Sequence, residues 1–234
     1  MTAESTGADG GFDRAAAVTR SLLGYGVLVG PFYLVVGVVH ALLRDGFDFA
    51  RHPLSLLTLG GTGWIQIANL VLSGLMVCVA ALGVHRALKG ARGARATVAL
   101  LTVYGLCVLL SGVFVPDPMA GFPVGAAVPE TPGASGIAHL ALGAVGFLAL
   151  AGAAVAGSVW ARAAGRRREA VWSIVAAVLI VGGFFSGAAL ATVPGGVAGL
   201  WLAVLTGWTW LALFSVTVYR TVPHPDAHRR ESAT

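Results

Sequence analysis

Two histidines, an aspartate and a serine are the residues of this chain best suited to chemistry, and they fall in two polar segments. The first contains Arg44, Asp45, Asp48, Arg51, His52 and Ser55, followed by Gly60, Gly61, Gly63 and Trp64. The second sets Asp117 between Pro116 and Pro118 and runs on through Phe122, Glu130 and Ser135 to His139. The imidazoles of His52 and His139 with the Asp117 carboxylate, joined by Glu130, make a mixed nitrogen and oxygen donor set that suits a divalent metal such as zinc, with one position left for an activated water. That set predicts a metal-dependent hydrolase or transferase acting on a lipid-like substrate. The ligands come from separate segments, without the i, i+4 His pair of a helical zinc motif. In a metal-free variant Ser55 is the nucleophile, His139 the base and Asp117 the group that orients it. The structural alternative, which leads, makes Asp117 before Pro118 a turn former. It has His52-Pro53-Leu54-Ser55 seal the first loop, and His139 bond a loop carbonyl or Asp117. Such a network satisfies backbone groups close to lipid and needs no catalysis.

The elements that must position these residues are membrane helices. Of the 234 residues, 57% are hydrophobic and 11% charged, with a mean hydropathy of +0.84. So little polar surface cannot clothe a water-soluble globule. Apolar runs near 21–43, 64–86, 97–115, 137–160, 171–193 and 197–219 approach or reach the roughly 20 residues a bilayer crossing needs. The expected fold is all-α: a polytopic transmembrane bundle of six spans, occupying 21–220 between disordered segments 1–20 and 221–234. The 33 glycines, with spaced pairs at Gly26/Gly30, Gly183/Gly187 and Gly195/Gly199, predict close helix packing.

Six spans put both termini on one side. Of the 15 Lys and Arg, all but Arg44 and Arg51 then fall on that same side, which by the positive-inside rule is the cytoplasm of a cell membrane. The net charge of +5 is thereby explained by orientation, and nucleic acid is excluded as a partner. The basic loops at 86–95 and 162–168 would also attract anionic membrane lipids, although the orientation rule alone accounts for them. Trp64 and Trp201 are expected at the outer interface, and Trp160, Trp172 and Tyr219 at the inner one. A single lysine beside fourteen arginines suggests a bacterial source with a GC-rich genome. Cys78 and Cys107, both within spans, read as small core residues. His40, Gln66 and Asn69 lie near the outer ends of the first two helices and are expected to line one outward pocket with the loop residues. The middle of every span lacks carboxylates and basic groups, which weakens a transporter. The remaining reading is a sensor or an accessory subunit, as a homo-oligomer or with a membrane-protein partner.

Taken together, RHPLS at 51–55, GGTGWIQIAN at 60–69, FVPDP at 114–118 with GFP at 121–123, and SGIAH at 135–139 resemble the bacterial and archaeal membrane proteins of domain of unknown function 998. The resemblance covers about residues 20–220. It implies a six- or seven-helix integral membrane protein whose polar signature is His52, Ser55, Asp117 and His139, with no established activity, substrate or cofactor.

Overall fold

The computed structural model describes residues 12–226. Among these, six α-helices follow one another up and down: α1 Arg14–Leu42, α2 Gly63–Ala87, α3 Ala94–Leu110, α4 Ala134–Ala163, α5 Arg167–Ala189 and α6 Ala198–Tyr219. Five are long and apolar enough to cross a membrane, and α3, with 17 residues, is a shorter apolar helix. Each packs on its neighbour in sequence, and α6 returns to α1, so the helices form a closed ring. The outer surface of that ring is apolar on every helix, through Leu28, Leu82, Leu106, Leu148, Val178 and Leu205. A water-soluble bundle would place polar groups there, so this belt marks a membrane protein.

Helix boundaries follow local chemistry. The first helix starts at Arg14, well ahead of the expected 21, because the Asp13 carboxylate accepts the Ala16 N–H at 2.9 Å and caps it. Residues 14–20 are therefore helical rather than disordered, while 1–11 and 227–234 lie outside the described residues. The third helix stops at Leu110 instead of 115. A short series of turns over 111–114 leads into Pro116 and Pro118, which have no N–H to continue a helix.

Glycines set the distances between helices. A methyl group on Gly74 of α2 would stand 2.5 Å from the Gly105 carbonyl oxygen of α3, and one on Gly183 of α5 would stand 2.7 Å from the Gly199 carbonyl oxygen of α6. Gly26 and Gly30 of α1 abut Ser215 and Trp208 of α6 and close the ring. The expected Gly195 contact does not form: Gly195 has φ +77° in the turn before α6, with open space around it. At the end that carries both termini, Asp13 N–H donates to the Pro225 carbonyl at 2.9 Å. Nearby, the Arg20 guanidinium lies 4.0 Å from the centre of the Tyr219 ring. Near this terminal end Trp210, Phe214, Trp160 and the alanine face of α4 are buried against one another. Trp160 is thus a core residue rather than an interfacial one.

Candidate functional site

At the opposite end two long loops, 43–62 and 111–133, fold onto each other. The first contains a short 3-10 helix, Leu54–Thr58, whose Leu54, Leu56 and Leu57 are buried. His52 joins the two loops. Its Nδ1 accepts the Asp48 N–H at 2.9 Å, so the proton sits on Nε2, which donates to the Ala120 carbonyl at 3.2 Å. The ring also packs between Phe47 and Phe122, at 5.4 and 5.3 Å between centroids. Phe122 is 1% exposed. Arg44 completes this roof: it donates to the Leu59 carbonyl at 2.9 Å and to Thr62 Oγ1, with its guanidinium 5.2 Å from the Phe122 ring centre. Trp201 of α6 ties the roof to the bundle by donating to the Phe49 carbonyl at 3.0 Å.

The second loop is stapled to the start of α4 by three bonds. The Asp117 carboxylate accepts the Gly133 N–H at 2.8 Å, Ser135 Oγ donates to the Val115 carbonyl at 2.8 Å, and His139 Nδ1–H donates to the Phe114 carbonyl at 2.8 Å. Asp117 lies against Gly133 and Gly136, where a side chain would collide with its oxygens. A carboxylate in this place also complements the partial positive charge of a helix N-terminus.

Below the roof lies a cavity of about 480 Å³. Ser55, Asp117 and His139 are at its rim, and His52 is not among its walls. Of the four residues singled out in the sequence, Ser55, Asp117 and His139 thus border one cavity, and His52 stands in the roof above it. His52 has both nitrogens engaged, Asp117 serves a helix end, and no hydrogen bond links Ser55 to His139 or His139 to Asp117 among the described residues. Nor, among these residues, do three or more His, Cys, Asp or Glu side chains gather where they could hold a metal ion. His40, Gln66 and Asn69 also stand away from the cavity walls. His40 Nε2 lies 3.1 Å from Thr62 Oγ1, while Gln66 and Asn69 are buried, Asn69 donating to the Tyr33 carbonyl of α1 at 3.0 Å. The free Cys78 and Cys107 are at the α3 contacts with α2 and α4.

The model of the family described as Protein of unknown function (DUF998) matches residues 27–219. The chain belongs to this family. No curated protein and no solved structure matches it.

Every wall of the cavity lies inside the matched DUF998 region. The walls are chiefly apolar: Leu140, Gly143 and Phe147 of α4, Phe184 of α5, and Val204 and Trp208 of α6. The floor is made by Tyr33, Tyr104 and Trp208, with both tyrosine rings against the indole at 5.4 and 5.7 Å. Tyr33 is nine residues from the end of α1, so the floor of the DUF998 cavity lies roughly 14 Å down, near the middle of a bilayer core of about 30 Å. Polarity in the loops pointed to the rim of this site. Its floor comes from scattered aromatics, and the only sequence signal for it is two tyrosines in the middle of apolar spans.

Proposed function

We propose that this DUF998 protein is a sensor or accessory protein of the cytoplasmic membrane that holds an apolar, lipid-like molecule in the cavity beneath its two loops. One observation carries the reading: a deep apolar cavity of about 480 Å³ beneath the two loops that fold over the bundle. Volumes of roughly 300 to 1,000 Å³ with a few polar groups are typical of small-molecule sites. The polar rim supports binding better than hydrolysis, because Asp117 and His139 are bonded to backbone groups. The absence of carboxylates and basic groups from the middle of the spans speaks against an ion transport path. The charge pattern favours a cavity mouth on the outer face, with both termini in the cytoplasm.

Ala188 lines the cavity on α5 and is half-buried, so Ala188→Phe would fill part of it. Organic extraction and mass spectrometry of the protein purified in mild detergent should find a molecule retained by the wild type and depleted in Ala188→Phe, with similar thermal midpoints. Equal retention by both would overturn the reading. For orientation, cysteines at the exposed Ala50 and Ala127 should react with an impermeant maleimide in intact cells. Protection of both would reverse the assignment.

A further inference from the structure

Two phenols at the cavity floor, those of Tyr33 and Tyr104, have no hydrogen-bond partner among the described residues. Asn69 Nδ2 donates to Gln66 Oε1 at 3.1 Å as well as to the Tyr33 carbonyl. This fixes which way the Gln66 amide points, because the reversed amide would set two N–H groups against each other. Its Nε2 then has no partner, although Gln66 is completely buried. Tyr33, whose carbonyl holds Asn69, lines the cavity. No described residue hydrogen-bonds the Tyr33 hydroxyl. Tyr104, 4% exposed, brings a second phenol to the same floor, and no described residue hydrogen-bonds its hydroxyl. Buried donors without acceptors are unfavourable unless something that enters the site supplies one.

The surroundings narrow what that something is. Tyr33, Tyr104, Trp208, Phe147 and Phe184 present aromatic faces around the floor, with Phe147 and Phe184 stacked at 4.9 Å. There is no cation among the cavity walls to pair with a carboxylate or phosphate. Toward the loop end, Ile137 and Leu140 both line the cavity and face outward, at 57% and 58% exposure, where an aliphatic tail could pass into the bilayer. Resting on the proposed binding of an apolar molecule, we infer that the occupant is a neutral, flat ring bearing carbonyl oxygens and an aliphatic tail. That describes a lipid-soluble quinone, inserted ring first, with a carbonyl on the Tyr33 and Tyr104 hydroxyls.

The test uses the full chain in nanodiscs and two probes matched in tail, decyl-1,4-benzoquinone and decylbenzene, with binding read by native mass spectrometry. The quinone should bind about tenfold more tightly than the hydrocarbon, the scale of one or two good hydrogen bonds. The Tyr33→Phe/Tyr104→Phe double variant keeps the rings against Trp208 and so keeps the fold, which its thermal midpoint checks. It should lose the preference while still binding decylbenzene. Equal affinity of the two probes for the wild type, or a preference that survives in the double variant, overturns the quinone assignment and leaves apolar binding standing. If neither probe binds, both this inference and the proposed function fall.

Discussion

The two ends of the bundle are built by opposite means. At the terminal end short connections, 88–93 and 164–166, join the helices, and cations are plentiful but mostly lightly engaged, the exception being Arg20 with its bond to the Val222 carbonyl at 2.8 Å. Arg86 is exposed and donates to Thr19 at 3.0 Å, and Arg166 pairs with Glu169 at 3.8 Å, both side chains partly in solvent. At the loop end there are few charges, and those that matter are fixed: Asp117 on a helix N-terminus and Arg44 on Leu59, Thr62 and Phe122. The difference shows that numerous charges set orientation, whereas a few well-placed ones determine structure. Exposed ion pairs contribute little and are screened. A charge or imidazole that satisfies backbone groups in a buried roof cannot be removed so cheaply.

The largest effect is expected from Phe122→Ala, which empties the centre of the roof. Deletion of a buried phenyl group costs about 3–5 kcal/mol, and hydrogen exchange should rise in 43–62 and 111–133 while the terminal halves of α4 and α6 stay protected. A uniform rise across the bundle would mean that the two ends are not separate units. Next, His52→Ala leaves the Asp48 N–H and the Ala120 carbonyl unpaired. This costs at least about 2 kcal/mol, from a minimum of roughly 1 per group, seen as a lower thermal midpoint in detergent. Should His52→Ala melt like the wild type, its place as the link between the loops would be wrong. For Asp117→Ala the loss is that of a helix cap, about 1–2 kcal/mol. Asp117→Asn keeps an acceptor and should restore most of it, so an Asn variant as unstable as the Ala one would show that the charge itself matters. Smallest of all is Arg86→Ala at the terminal end, under about 1 kcal/mol. A loss there equal to that of His52→Ala would erase the contrast between the ends.

Much of the fold was legible because lipid imposes simple rules. Runs of apolar residues have to be helices, and five of the six spans appear as long apolar helices close to the expected limits. The third came out shorter because the turn at Ser111-Gly112 and the prolines beyond it outweigh the apolar Val113 and Val115. The site was legible only in part. His52, Asp117 and His139 stood out by type, and each is a structural contact at the loop end, but their types could not show that their bonding atoms were directed at backbone groups. Gln66 and Asn69 were misplaced because one face of α2 looks at α1 rather than at the cavity, a matter of helix rotation that a weakly amphipathic sequence leaves open. The floor escaped notice because Tyr33, Tyr104 and Trp208 come from three helices.

By itself, then, the sequence determined that the chain is a membrane bundle and where its helices lie. A bilayer core cannot solvate backbone groups, and the penalty is read directly from composition and run length. Only the tertiary structure decided that the ring closes between α1 and α6, that the larger cavity opens beneath the loops, and that the polar loop residues form a roof. Those outcomes depend on which glycine meets which side chain and on the direction of individual hydrogen bonds. These are short-range geometric facts, set when distant segments pack together and not by residue type alone.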